Sequence, residues 1–479
     1  MDSGTPEVEP RARPQPKAVR REGPGDGSLY AKQEKIYPRE VKGRFASLRW
    51  AAVWVLLGIY YLLPWLHLDG RQALLFDLPA RKFYIFGLTL FPQDFLYLTG
   101  LLILAALSLF FFTAIAGRLW CGYACPQTVW TEVFLWMERL IEGSRLRQMK
   151  LARAPWSRAK LARRAAKHGI WVAFSLWTGF TFVGYFTDIH LLGQKVMALE
   201  TGPWETFWIL FYALATYGNA GWLREQVCIY MCPYARFQSA MFDRDTLIIS
   251  YDPGRGEPRG SRKRGSDPRA EGLGDCIDCT LCVQVCPTGI DIRDGLQYQC
   301  IACAACIDAC DAVMERMGYP KGLIRYSTEN AVEGRPSRVL RPRTVFYATV
   351  LVALFAILGY SMVTRVPLEL DVLRDRNALY RDIAGGRIEN VYTLKLVNMD
   401  ERAHRYRITV EGIEGAELVI DRPERLRVEG GKVSAVPVSV RVDPDRLEER
   451  STGIEFYAVA EDDPAIAADE ESRFLGPGR

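Results

Sequence analysis

The sequence predicts a multi-domain membrane protein: an α-helical transmembrane bundle, a cysteine-rich domain on the cytoplasmic side and a C-terminal β-sandwich on the periplasmic side. Three observations predict it. Residues 50–68, 95–116, 169–187, 206–223 and 344–364 are apolar, free of charged residues and bilayer-length, which takes about 17–25 residues. All twelve cysteines fall between Cys121 and Cys310. Residues 365–479 alternate apolar and polar positions and carry a net charge of about −6, within a chain whose total is +5.

Trp and Tyr lie near the ends of the apolar runs, as they do at membrane interfaces. A soluble core rarely needs five such runs, so buried helices of a soluble protein are set aside. Lys and Arg set the orientation. They number eleven in residues 1–49 and eleven in 117–168, against three in 69–94 and one in 188–205. Basic loops stay inside. The N-terminus and residues 224–343 are therefore expected in the cytoplasm and residues 365–479 outside, which in a bacterium is the periplasm. The expected location is the bacterial inner membrane, multi-pass.

The predicted domains follow. Residues 1–49 form a polar cytoplasmic tail without a cleavable signal pattern. Residues 50–248 form a four-span membrane domain, 249–343 a cytoplasmic cluster domain, 344–364 a fifth span and 365–479 the outer domain. The basic run 145–167 is accounted for by anionic lipid headgroups, and nothing in the chain points to nucleic acid. "GRGEPRGSRKRG" at 254–265 reads as a flexible charged linker.

The cysteine distribution is the reverse of a disulfide framework, since disulfides persist in oxidising compartments and these thiols lie on the reducing side. "CIDCTLCVQVCP" at 276–287 and "CIACAACIDACD" at 300–311 each have the spacing C-x2-C-x2-C-x3-C. This is the bacterial double-ferredoxin run, in which each block gives three cysteines to one [4Fe-4S] cluster and its fourth to the other. Cys276, Cys279, Cys282 and Cys310 are expected to hold one cluster, and Cys300, Cys303, Cys306 and Cys286 the second. Close spacing lets one tight loop wrap three corners of a cubane. Pro287 follows Cys286, whereas Asp311 stands where a second proline is expected. Two zinc sites on the same eight thiolates are disfavoured, because zinc ligands come as separate C-x2-C pairs.

"CGYACP" at 121–126 recurs as "CIYMCP" at 228–233, each just after an apolar run. On one helix, Cys121 and Cys125, and likewise Cys228 and Cys232, would share a face. The pairs end even-numbered spans, so the chain reads as a duplicated unit whose halves could bring four sulfurs together. Thiolates suit Cu(I), zinc and iron–sulfur clusters. A copper ion, a further cluster and a redox dithiol all fit these four cysteines.

Of the four histidines, His67 and His190 sit near outer span ends, His168 at an inner end and His404 in the outer domain. They offer no facing pair within the spans for a b-type haem; His67 and His190 read as interfacial residues, with contact to incoming copper as the alternative. In the outer domain, Tyr392, Leu394 and Leu396 share one face of a strand, as do Tyr406, Ile408 and Val410, and Val436, Val438, Val440 and Val442. Period-two alternation between Gly and Asp turns predicts a small antiparallel sandwich.

"GRLWCGYACPQTVWTEVF", "CIYMCPYARFQSAMFD" and "GLQYQCIACAACIDACDAVM" resemble the FixG/RdxA/CcoG family of cytochrome c oxidase accessory proteins, over roughly residues 35–479. The resemblance implies an immunoglobulin-like outer domain and a role in assembling a cbb3-type oxidase. It also implies two [4Fe-4S] clusters on the eight cysteines from Cys276 to Cys310, and copper or redox chemistry at Cys121, Cys125, Cys228 and Cys232. The implied activity is a cupric reductase, one-electron reduction of Cu(II) to Cu(I). The implied partners are oxidase subunits or copper chaperones and transporters, with a cytoplasmic electron donor. The alternatives are an electron-transfer subunit passing quinol electrons to a partner enzyme, and a passive metal-binding scaffold.

Overall fold

A computed structural model of the chain describes residues 35–68, 70–375, 378–383, 385–447 and 449–477. Most of the expected N-terminal tail therefore lies outside the described residues. The chain divides into two compact units, one formed by residues up to 58 with 109–177 and 211–345, the other by 59–108, 178–210 and 346–479.

Three helices are long and apolar enough to cross a membrane among the described residues: Arg44–Trp65, Pro92–Ala116 and Pro342–Val363. The other two expected spans differ from the sequence reading. The helix containing 169–183 starts at Arg158, within the basic run, so it is amphipathic over its first half. The 206–223 stretch is an α-helix only to Thr216 and continues as a π-helix, Tyr217–Leu223. Gly218 and Gly221 weaken the α-helical register there. The proposed tail boundary at residue 49 also shifts. The first helix begins at Arg44, and Asp308 accepts the Phe45 and Ala46 amides at 3.2 and 2.7 Å, a carboxylate capping free first-turn donors.

In the first unit, helix Pro126–Glu142 buries Val129, Val133, Phe134 and Met137 against Trp171, Ala220 and Val53. Trp171 donates its indole N–H to the Phe134 carbonyl at 3.3 Å. The same helix buries two carboxylates. Glu138 receives Arg224 at 2.7 Å, Lys35 at 2.8 Å and Lys167 at 3.3 Å. Lys167 and Arg164 also reach Glu142, at 2.9 and 3.5 Å. Burial pushes the Glu138 carboxyl up, but Arg224, Lys35 and Lys167 outweigh it and hold it at about 2. Two cations of the basic run thus turn inward, away from any headgroup role.

The cluster domain has a two-stranded antiparallel sheet, Ile248–Tyr251 with Ile324–Ser327, over helix Ala305–Met317. Its core is Ile249, Ile307, Val313, Met314, Leu323 and Ile324, with Cys276 and Cys282 buried among them. The expected linker 254–265 is tied down instead. Arg255 pairs with Asp275 at 2.5 Å, and Arg262 donates to the Tyr319 hydroxyl and the Gly274 carbonyl at 3.0 and 2.6 Å. Guanidinium forks satisfy several acceptors at once, which a reading of charge alone does not anticipate.

The second unit contains the sandwich. One sheet runs Glu417–Ile420, Val433–Val442, Ile388–Asn398, Leu368–Arg374, with the short Arg381–Asp382 on the third. The other runs Arg427–Val428, His404–Glu411, Ser451–Ala460, Ala467–Leu475. Tyr392 opposes Val438 and Leu394 opposes Val436 across antiparallel strands. These residues, Leu396, Tyr406, Phe456 and Phe474 are fully buried, and none of the core residues is a cysteine. A three-stranded sheet, Leu74–Asp77, Lys82–Ile85 and Leu88–Leu90, occupies the loop between the first two apolar runs. Arg365 clamps Asp94 through two bonds at 2.8 and 2.6 Å, and Arg71 meets Glu401 at 2.6 Å.

His404 is buried between Asp400, 2.9 Å from Nε2, and Asp462, 2.8 Å from Nδ1. Burial lowers its pKa, but both carboxylates outweigh this and raise it above the ordinary value. Its charged form then stabilises the sandwich fully below about pH 6.5, the unfolded value, and this contribution fades as pH rises through the folded one. Hydrogen exchange of sandwich peptides in the intact protein should therefore quicken as pH climbs through that window, after correction for the intrinsic rate. His404→Gln should abolish this dependence. In the first unit, Glu138→Gln leaves Arg224 buried without its counter-charge, and should cost about 3–5 kcal/mol, read as a lowered melting temperature of the purified protein.

Candidate metal centre

The two cysteine blocks fold alike. After Cys276, the second and fourth residues, Asp278 and Thr280, have φ of 54° and 56°. After Cys300, the second and fourth, Ala302 and Ala304, have φ of 54° and 58°. Helices Leu281–Gln284 and Ala305–Met317 then start at the same offset. Left-handed non-glycine residues cost about 1–3 kcal/mol each and persist where the surroundings impose them. Alternating hands turn successive backbone N–H groups to one side, a concavity that receives an anionic group.

The thiols form two groups. Cys310 lies within electrostatic reach of Cys276, Cys279 and Cys282. Cys306 lies within reach of Cys300, Cys303 and Cys286, and also of Cys282, so the groups adjoin. Each block's fourth thiol thus falls to the other block's three, a donor set that fits two cubane clusters better than zinc, whose ligands come as separate C-x2-C pairs. Burial pushes the Cys300 and Cys310 thiols up to about 12 and Cys282 to about 11, so loading must release protons.

The C-x3-C-P pairs depart from the helical reading. Cys121 lies in a short helix, Leu119–Tyr123, whereas Cys125 is extended, at φ −61° and ψ 129°, and caps helix Pro126–Glu142. Cys228 lies in a π-helix, Val227–Met231, and Cys232 is extended, at φ −78° and ψ 110°, capping helix Pro233–Met241. Each proline forces the cysteine before it out of the α region, so it opens a new helix rather than closing the old one. The pairs consequently do not share helix faces. Instead, Cys228 is within electrostatic reach of Cys121, Cys125 and Cys232, and Cys121 of Cys125 and Cys232. The quartet is half-buried, with free thiols. Burial pushes Cys121 to about 11 and Cys228 to about 12.

Residues that the sequence reading passed over join this quartet to the second block. Arg118, 5% exposed, donates to the carbonyls of Tyr298, Cys300 and Ala235. A Cβ on Gly122 would stand 2.8 Å from the carbonyl oxygens of both Ile301 and Ala302. Tyr326 donates to the Ala302 carbonyl at 2.6 Å and meets the Tyr123 hydroxyl at 3.2 Å. The buried Gln238 amide, from the second repeat, lies 3.5 Å from Cys121 Sγ in the first. Only the glycine inside C-G-Y-A-C-P carried a hint; Arg118 and Gln238 looked like ordinary polar residues. Of the histidines, His67 and His190 come together, ring centroids 4.9 Å apart, with Asp188 3.5 Å from His67. Rings that close leave no room for a haem between them.

The family comparisons agree with this layout. Residues 223–329 match a 4Fe-4S dicluster domain, 98–144 a 4Fe-4S binding domain, and 358–477 the IG-like fold at the C-terminus of FixG. The nitrogen fixation protein FixG of Rhizobium meliloti is 39% identical over 94% of this chain and 94% of its own. Protein RdxA of Cereibacter sphaeroides is 42% identical over 86% of this chain and 88% of its own. A solved FixG-related protein from Vibrio parahaemolyticus is 32% identical, covering 23% of this chain and 95% of its own, with a TM-score of 0.21. With iron–sulfur domains, apolar helices and an Ig-like C-terminal domain in one chain of matching length, this protein belongs to the FixG/RdxA family.

Proposed function

We propose that this chain is a multi-pass inner-membrane oxidoreductase that reduces Cu(II) to Cu(I) for assembly of a cbb3-type cytochrome c oxidase. The observation that carries the reading is the junction at Arg118 and Gly122, which sets the C-x3-C-P quartet against the second cysteine block. Bound [4Fe-4S] clusters supply one-electron chemistry, over potentials of about −700 to +450 mV, and Cu(II) needs one electron. The chain's residues do the rest. Eight thiols hold two groups, Ile249, Ile292 and Ile307 keep water from them, and Arg118 fixes the distance to the quartet. Cys121, Cys125, Cys228 and Cys232 then form the end from which an electron reaches the copper substrate. Copper itself enters through the family resemblance. A cytoplasmic reductant delivers electrons to the first group, whose Cys279 is exposed, and oxidase subunits or copper carriers accept Cu(I).

The topology is part of the proposal. An odd number of spans, three or five, puts residues 365–479 on the side opposite the cluster domain, and the excess of Lys and Arg assigns the cluster domain to the cytoplasm.

A second reading, a subunit that takes electrons from a quinol for a partner enzyme, is favoured by one cavity. It has about 100 Å³, lies between Cys228 and Cys303, and is walled by Trp50, Leu135, Ile36 and Arg49. Cluster reduction by a quinol alone would support it.

Replacing Cys121, Cys125, Cys228 and Cys232 together by Ser should abolish the reductant-dependent Cu(I)-chelator signal while the two ferredoxin-type clusters still absorb. Undiminished copper reduction would refute the assignment. Gly122→Ala forces a methyl against two backbone carbonyls that cannot yield. It should slow Cu(I) formation in a stopped-flow assay without lowering the iron content of the cluster domain.

A further inference from the structure

We propose that Cys121, Cys125, Cys228 and Cys232 together ligate a third [4Fe-4S] cluster. The proposal rests on the relay reading above and identifies what fills its terminal station.

A cubane takes four thiolates, and neither repeat can supply them. The segment 98–144, which matches a 4Fe-4S binding domain, contains only Cys121 and Cys125. The dicluster match, 223–329, contains ten cysteines, two more than its two clusters use. The surplus pair is Cys228 and Cys232, and the fold puts it within electrostatic reach of the first pair. The half-site of one segment is completed by the excess of the other.

The surroundings suit an anionic group. Arg118 is buried, and its Nε has no hydrogen-bond partner. It lies within electrostatic reach of Cys121, Cys228 and Cys300. Cys125 and Cys232 cap the N-termini of helices of 17 and 9 residues, whose dipoles favour negative charge. The backbone N–H groups of Gln127 and Thr128 lie beside Cys125 and favour its thiolate, and the Gln238 amide reaches Cys121 Sγ. Hydrogen bonds to ligand sulfur raise and tune a cluster's potential.

The test is a metal count on the full chain, purified anaerobically in detergent and reconstituted with ferrous iron and sulfide. About twelve iron and twelve sulfide per chain are expected, against about eight for two clusters. Cys121→Ser with Cys125→Ser, and Cys228→Ser with Cys232→Ser, should each remove the same four irons and the same EPR signal of the reduced protein. Eight irons in the unsubstituted chain, with or without a bound copper, would overturn the proposal, and this count needs no variant to fold. A Cu(I)-chelator assay on the same samples separates the two readings. Eight irons with thiol-dependent copper reduction sinks the third cluster alone. Twelve irons without copper reduction sinks the copper reading alone.

Discussion

Backbone contact at Gly122 is the constraint on which the first unit turns. Two carbonyl oxygens, from Ile301 and Ala302, occupy the space a side chain at 122 would need. Both belong to the loop between Cys300 and Cys303. The loop carrying Cys121 and Cys125 can therefore approach the second cysteine block to within backbone distance. Arg118 locks this approach by donating to three carbonyls from two other segments. Carbonyl oxygens buried without donors would be costly, so the arginine both satisfies them and sets the geometry. Moving electrons between thiol-held centres needs short, fixed separations, and this junction provides one from backbone atoms rather than from mobile side chains.

A second constraint is charge. The helix that starts at Cys125 buries Glu138 and Glu142 one turn apart, and both are matched by cations from distant segments. Lys35 precedes the first apolar helix, Lys167 belongs to the amphipathic one, and Arg224 follows the π-helix before Cys228. Buried ion pairs add little net stability, but an unmatched member is heavily penalised. The network thus specifies which segments surround this helix, and so holds the two C-x3-C-P loops in register. The π-helical turn at Tyr217–Leu223 contributes by reorienting the chain just before Arg224.

The sandwich in the second unit rests on a different balance. Its core is built from Tyr, Leu, Val and Phe on facing sheets, with no disulfide. Apolar burial supplies the stability, and the His404 clamp adds a charge-dependent increment at the start of strand His404–Glu411.

Much of this was readable from the chain itself. Period-two alternation around Tyr392 and Val438 specified strands, because a pleated sheet repeats every two residues. Cysteine spacing specified ferredoxin-type loops, since C-x2-C-x2-C is set by local loop geometry. Three apolar runs specified membrane-length helices through length and composition alone. What the sequence could not decide were relations between distant segments. Whether Cys121 meets Cys228, whether Arg118 or Gln238 matters, and whether residues 254–265 hang free all depend on packing that no local pattern encodes. The C-x3-C-P spacing misled for the same reason. Read as one helix it paired sulfurs along a face, but proline broke the helix between them, and only the tertiary fold gathered the four thiols into a single quartet.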